Sequence, residues 1–421
     1  MAPRGTRHIG FVSTRLAGTD GVSLEARKWR DVLTRLGHNC FCLAGESDWP
    51  ADHSHVVPEA HFHHPDVREL NASLFGTEVR SPETTQGIHQ LKEHLKTQLR
   101  RFVHSFELDL LVTENALAIP MHVPLGLALT EFIAETGIPA LGHHHDFAWE
   151  RARFWPNAAA DYLSSGFPPT LPSLRHVVIN SIAAEQLALR RGARAVLIPN
   201  VMDFDTPPPP RDSYAADLRS SLGVAPDGIL LLQPTRVVPR KGIEHAIELA
   251  RRLRCPSTLV ISHASGDEGP AYQEHLRNYA DLLGVSISFA GDRFAHRRGT
   301  APDGRKIYAL ADAFSEADLI TYPSIVEGFG NAFLEAVYYR RPILVRRYDV
   351  FRIDIAPKGF EVIAFDDFIT RHTVQEAEAV LEDRALTRPT LDANYNRGRH
   401  HYSYSVLERR LVSLIDELPG L

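Results

Sequence analysis

Residues 322–336 read Tyr-Pro-Ser-Ile-Val-Glu-Gly-Phe-Gly-Asn-Ala-Phe-Leu-Glu-Ala, and this stretch decides the fold. The run before it, Ala317-Asp318-Leu319-Ile320-Thr321-Tyr322, is apolar and is ended by Pro323, the pattern of a buried strand. After the Gly-Phe-Gly turn, Ala332, Phe333, Glu335, Ala336 and Val337 suit a helix. The order is therefore strand, glycine turn and helix start, with Glu327 just before the turn and Glu335 about one turn into the helix. A helix start offers unpaired backbone N–H groups and partial positive charge, which suit an anionic phosphate. A carboxylate there would repel a phosphate, so its natural partner is a hydroxyl-rich group. Phosphate donors beside hydroxyl-accepting carboxylates describe a pocket for a sugar joined to phosphate. An ordinary strand–turn–helix with a capping glutamate explains the local pattern equally simply.

Working outward, the C-terminal half repeats this alternation. Strands are expected at 228–233, 257–263, 285–290 and 341–346, and helices at 242–254, 270–283 and 305–313. An amphipathic helix over 402–417 closes the chain, with Val406, Leu407, Leu411, Leu414 and Ile415 on one face. The N-terminal half alternates in the same way. Strands are expected at 8–13, 39–44, 108–113, 139–143, 176–180 and 195–199, and helices at 22–36, 86–106, 125–136 and 181–191. Such alternation implies parallel sheets covered on both faces. The break falls at 199–212, where four consecutive prolines can continue neither a helix nor a central strand. The fold class is α/β, with two Rossmann-like domains facing an interdomain cleft, the place where open parallel sheets bind ligands.

The 421 residues suit two domains, and 44% hydrophobic with 23% charged residues is ordinary for a globular chain. A net charge of −6 argues against nucleic acid as a partner, because phosphate-backbone binding needs a basic footprint. The start, MAPRGTRHIGFVS, has too short an apolar run for a signal or a membrane span. Three cysteines, Cys40, Cys42 and Cys255, make neither a disulfide framework nor a zinc pattern. These features point to a cytoplasmic location. Histidines cluster at His53, His55, His61, His63 and His64, read as a solvated loop because no metal-binding helix spacing accompanies them.

A second signature, Gln-Pro-Thr-Arg-Val-Val-Pro-Arg-Lys-Gly at 233–242, follows a strand and opens a helix. Arg236 and Lys241 stand five apart, close enough to converge on one anion at a strand's carboxyl end. A diphosphate leaving group gathers charge as its bond breaks and needs such a clamp. With the two glutamates at the same sheet edge, these residues resemble a family 4 retaining glycosyltransferase of GT-B fold. The resemblance runs over nearly the whole chain, through R-x4-K at Arg236 and Lys241, E-x7-E at Glu327 and Glu335, and Ile-Pro-Asn at 198–200 with Asp203.

The resemblance implies a donor domain at 206–397, an acceptor domain at 1–205, and a terminal helix at 398–421 returning to the latter. It implies that Arg236 and Lys241 bind the diphosphate and Glu335 the ribose hydroxyls. Glu327, with the amides of Gly328, Phe329 and Gly330, would take the donor sugar, and Asn331 would tune the choice of sugar. Base recognition would fall on loops near Gly266 and Arg293. The loop holding Gly18 and Gly21 is similar to the family's glycine-rich loop, whose amides reach the donor phosphates, although it lacks the commoner adjacent glycine pair. His145 aligns best with a histidine that contacts the transferred sugar, with His143 and His144 as open alternatives in register. His144, Asp146 and Arg151 are the expected acceptor contacts; a solvated helix start explains Arg151 equally well.

Asp203-Phe204-Asp205 has the form of a metal-binding D-x-D, but beside the prolines it reads as a turn, and no DxD-bound metal or tightly bound cofactor is expected. The helix at 86–106 carries Lys92, Lys96, Arg100 and Arg101 against Glu93, a net +3, yet its narrow apolar stripe suits packing on its own sheet better than a membrane. The expected activity is transfer of a hexose from a nucleotide diphosphate sugar, GDP-mannose or UDP-glucose, to a small acceptor such as a sugar, sugar phosphate or glycerate-type compound. The configuration at the anomeric carbon would be retained. Another GT-B activity, epimerase or phosphorylase, or a silent sugar-nucleotide binder, is the alternative; oligomeric state is not encoded in these motifs.

Overall fold

The computed structural model describes residues 5–18, 20–264, 269–295 and 297–418. They form two compact units, Met1–Asn200 with Tyr404–Leu421, and Val201–Ser403.

The first unit is built on a seven-stranded parallel sheet of strands β1 His8–Val12, β2 Asn39–Ala44, β3 Ser54–Val56, β4 Leu110–Glu114, β5 Ala140–His144, β6 Leu174–Val178 and β7 Ala195–Leu197. Their order is β3-β2-β1-β4-β5-β6-β7, so the winding reverses between β1 and β4. The central strands β4 and β5 are buried along their whole length, and their first residues, Leu110–Val112 and Ala140–Leu141, are consecutive apolar positions rather than alternating ones. The basic helix Pro82–Ser105 lays Leu91, Leu95, Leu99 and Phe102 into the core. Its cations meet the helix Val123–Thr136: Lys92 and Lys96 reach Glu131 at 2.5 and 2.9 Å, and Arg100 reaches Glu135 at 2.7 Å. The terminal helix Tyr404–Asp416 packs on the helix Gly21–Arg35, with Arg35 5.1 Å from the Tyr404 ring centroid.

The second unit holds a six-stranded parallel sheet of β8 Ile229–Gln233, β9 Ser257–Ile261, β10 Ser286–Phe289, β14 Leu319–Tyr322, β15 Ile343–Arg346 and β16 Ile363–Phe365. Between β10 and β14 lies a small sheet of β11 Phe294–Ala295, β12 Gly299–Thr300 and β13 Lys306–Ala309. The large sheet runs β10-β9-β8-β14-β15-β16, reversing between β8 and β14.

Two expectations need correction. The segment 305–313 is not one helix: it begins as β13, where Tyr308 is buried, and only then turns into the helix Leu310–Glu316. The run Lys-Ile-Tyr-Ala pairs with β12, and its β-branched and aromatic residues favour that strand. Within the linker expected at 199–212, a reading this packing leaves standing, Phe204 packs edge-on against Tyr338 and Tyr395. The histidines at 53–64 are ordered rather than a solvated loop: His53 stacks on Phe41 and bonds the Cys40 carbonyl at 2.8 Å, while His55, in β3, bonds Gln98 at 3.1 Å. Each of these rings combines an aromatic neighbour with a hydrogen bond, which sequence spacing does not show.

Candidate functional site

In open parallel sheets, ligands bind at the carboxyl ends of the strands where the winding reverses. In the second unit those strands are β8 and β14, and each is followed by one of the two signatures. Gly242 has a left-handed φ of 57°, and a Cβ there would lie 2.7 Å from the Pro323 carbonyl oxygen, so only glycine lets the two loops touch. The Ile325 amide donates to the Arg240 carbonyl at 2.8 Å, and the Arg240 guanidinium donates to the Val326 carbonyl at 3.3 Å.

This lacing brings the Lys241 ammonium into direct contact with the Glu327 carboxylate, with Arg240 3.6 Å from its other oxygen. Burial pushes the Lys241 pKa down, only partly offset by Glu327. Burial would raise the Glu327 carboxyl, but Lys241 and Arg240 outweigh it and hold the group ionised. The Lys241 ammonium lies 5.7 Å from the Tyr322 ring, whose phenol is driven far up by burial and by Glu327, so it stays neutral. Arg236 is exposed on the same loop. His263, just beyond β9, is lowered to about 4 by burial and then by Lys241 and Arg236. Arg240 and Lys241 therefore meet at one carboxylate, with Arg236 on the same loop. Arg240 was not singled out in the sequence, although it directly precedes Lys241.

The chain then turns at Gly330, where φ is 132° and a Cβ would lie 2.5 Å from the Tyr348 hydroxyl oxygen. That hydroxyl donates to the Phe329 carbonyl at 2.7 Å, and the Phe329 ring is buried edge-on against Tyr402. Gly328, Phe329 and Gly330 thus present backbone, not side chains, ahead of the helix Asn331–Tyr338, which carries half-buried Glu335. Arg293 donates to the carbonyls of Ser221 at 3.3 Å and Lys306 at 3.4 Å. Gly266 lies outside the described residues.

In the first unit the reversal lies between β1 and β4. After β1, the Gly18 amide donates to Asp48 at 3.0 Å. Asp20 caps the helix that starts at Gly21 by accepting from the amides of Val22 and Ser23, and binds Arg15 at 3.1 Å. Beyond β4 and β5 stand the three histidines. Pleat alternation puts His143 and His145 on one face and His144 on the other. His144 is buried and bonded to His176 at 2.9 Å. His143 is buried against Trp29, their rings stacked at 4.1 Å. His145 keeps 9% of its side chain exposed and bonds Glu114 through Nε2 at 3.1 Å; Glu114 also takes His143 Nδ1 at 2.9 Å. Burial works against protonated His145, but the Glu114 carboxylate outweighs it and raises the pKa. Asp146 accepts from Arg151 Nε at 2.6 Å and from Asn115 at 2.8 Å. The donor atoms of Glu114, His143 and His145 lie within 4.8 Å of one another, yet both ring nitrogens are directed at one carboxylate oxygen, the arrangement of a hydrogen-bonded cluster. Of the D-x-D pair, Asp205 faces Arg399 at 3.4 Å and Asp203 accepts from Thr206 at 3.0 Å.

No helix among the described residues is long and apolar enough to cross a membrane. No family model matches the sequence. The chain is 32% identical to the mannosylglucosylglycerate synthase of Thermotoga maritima, over 95% of this chain and 97% of that one. It is 31% identical to the mannosylglucosylglycerate synthase of Petrotoga mobilis, over 85% of this chain and 86% of that one. Among solved structures, Anabaena HepE in complex with UDP and glucose superposes with a TM-score of 0.66 at 14% identity, covering 98% of this chain and all of that one, which shows the GT-B glycosyltransferase fold.

Proposed function

The chain belongs to the family of the mannosylglucosylglycerate synthases and is a glycosyltransferase, and from that premise we propose that it transfers a hexose from a nucleotide diphosphate sugar to a glycerate-type acceptor with retention of configuration. The contact of Lys241 with Glu327, which ties the R-x4-K and E-x7-E segments into one site, is the observation that carries the reading. Two cations at one carboxylate, with Arg236 on the same loop, leave positive charge for a diphosphate, and Arg236, Arg240 and Lys241 stabilise the charge that gathers as the bond from the anomeric carbon to the phosphate oxygen breaks. The acceptor hydroxyl oxygen bonds that carbon on the same face, and its proton passes to the departing diphosphate, so no separate protein base is needed. Glu327 and the backbone of Gly328, Phe329 and Gly330 take the donor sugar, and Glu335 takes the ribose.

On the acceptor side, His145 keeps some exposure and meets the transferred sugar, while Asp146 and Arg151 take the acceptor. His144 serves packing. The relatives' name describes a mannosyl group on glucosylglycerate, which favours GDP-mannose as donor and glucosylglycerate as acceptor. The test is incubation of the purified chain with glucosylglycerate and, in turn, GDP-mannose, UDP-glucose and ADP-glucose, read by mass spectrometry. A hexose added from one donor supports the reading. Conversion of free donor without acceptor, or a requirement for inorganic phosphate, would replace it with an epimerase or a phosphorylase.

A further inference from the structure

Hexosyl transfer does not require a fully buried carboxylate behind His145, yet one is present. The Glu114 side chain is 0% exposed at the end of β4. An ionised carboxylate out of water is costly unless hydrogen bonds replace its hydration. Its Oε2 takes two, from His143 Nδ1 at 2.9 Å and His145 Nε2 at 3.1 Å. Because an ionised carboxylate only accepts, both of these ring nitrogens must carry hydrogen.

The next residue holds the backbone. Asn115 sits at a left-handed φ of 59°, a region asparagine enters more readily than other residues with a Cβ because its short side chain hydrogen-bonds locally. Its Oδ1 accepts from the His145 amide at 3.0 Å, and its Nδ2 donates to Asp146 at 2.8 Å. Ring and main chain of His145 are thus each fixed from β4, the strand at the winding reversal. His143, stacked on Trp29, closes the far side of the carboxylate.

We propose that Glu114 is a positioning residue for hexosyl transfer: it fixes His145 with Nε2 as the hydrogen donor to the carboxylate, so that Nδ1 is the atom that meets a hydroxyl of the substrate. The proposal rests on the hexosyltransferase reading. The charged groups around the His145 ring are Glu114 from β4, His143 from β5, Glu25 from the helix Gly21–Arg35, which is paired with Lys28 at 2.5 Å, and Asp146, which is paired with Arg151.

The test uses the full chain with Glu114→Gln, His145→Asn and the double variant. Glu114→Gln is expected to lower kcat by roughly 10- to 100-fold, the usual cost of losing a residue that orients a catalytic group, with donor KM changed less than about twofold. Any limb of the kcat–pH profile governed by His145 moves to lower pH, because the imidazolium has lost its carboxylate. The double variant loses no more than His145→Asn alone. Wild-type kcat in Glu114→Gln, an unmoved pH profile, or losses that multiply in the double variant would overturn the proposal. So would activity abolished by EDTA and restored by zinc, which would assign the cluster to a metal. Should Glu114→Gln fail to fold, nitrogen-15 NMR of the wild-type chain decides: a hydrogen on His145 Nε2 is expected, and a neutral Nδ1–H tautomer contradicts it. A wild-type chain that transfers no hexose would sink the hexosyltransferase reading, while the NMR result would still show whether Glu114 fixes the ring.

Discussion

An ammonium and a carboxylate, Lys241 and Glu327, each with about a tenth of the side chain exposed, meet where two loops cross. Removing one partner of such a pair leaves the other as an uncompensated charge, at a cost of about 2–4 kcal/mol for a site not fully closed to water. Lys241→Met is therefore expected to destabilise the chain by that amount and to cut transfer by roughly 10²- to 10³-fold, since it removes a charge that serves the transition state. Lys241→Met with Glu327→Gln should regain most of the stability in urea unfolding while transfer stays lost. Recovery of activity along with stability would show that the pair is structural. The types and spacing of Arg236, Lys241, Glu327 and Glu335 were legible in the sequence. The direct contact of Lys241 with Glu327 was not, because it depends on Gly242 letting one backbone reach another. Glu114 was hidden for a similar reason: it ends an apolar strand and looks like a boundary residue until the neighbouring strand supplies two imidazoles. An acidic and an amide residue in succession, Glu114-Asn115, closing the run Leu110-Leu111-Val112-Thr113 was the available signal.

The strand–turn–helix at 319–338 works as an element because of one glycine. Gly330 combines a φ of 132°, open in practice only to glycine, with a Tyr348 hydroxyl 2.5 Å from where a Cβ would sit. Gly330→Ala is expected to destabilise by about 2–4 kcal/mol through backbone strain and overpacking. Combining it with Tyr348→Phe should relieve only the clash and recover part of that loss. A chemical-denaturation series measures both; full recovery in the double variant would show that the backbone carries no strain. The strand and helix were readable from period and composition. The π-helical turn Phe351–Ile355 and the long helix Arg384–Tyr402 were not, since the first has no regular apolar period and the second contains Pro389. The pairing of the charge on the helix Pro82–Ser105 was equally opaque, because its neutralising acids lie on a helix some 35 residues further along the chain.

Across the whole molecule, buried histidines set the response to acid. His122 accepts from the Leu125 amide through Nδ1 and bonds the Glu59 carbonyl through Nε2, so both nitrogens are satisfied only in the neutral ring. Burial holds His122 and His176 at about 4 and His144 well below its ordinary value. A histidine with a lowered folded pKa stabilises while it is neutral: its contribution is complete above the unfolded value near 6.5 and is lost as pH falls toward 4. His145, raised, acts in the opposite sense, but the lowered histidines, His263 among them, outweigh it. Stability should therefore fall by several kcal/mol, on the order of 3 kcal/mol at most for each lowered histidine, between pH 7 and pH 4.5. Urea midpoints that stay flat or rise on acidification would contradict this. The sequence showed many histidines and two doubly wound halves, but not which rings are sealed in neutral form, because that depends on carbonyls and amides brought from elsewhere in the fold.

The most direct measurement of the central claim is the NMR structure of the product formed from GDP-mannose and glucosylglycerate. An α-linked mannosyl group on the acceptor, with GDP released in equal amount and lost in the Lys241→Met variant, is the predicted result. A β linkage would contradict retention, and GDP released with free mannose and unchanged acceptor would contradict transfer itself.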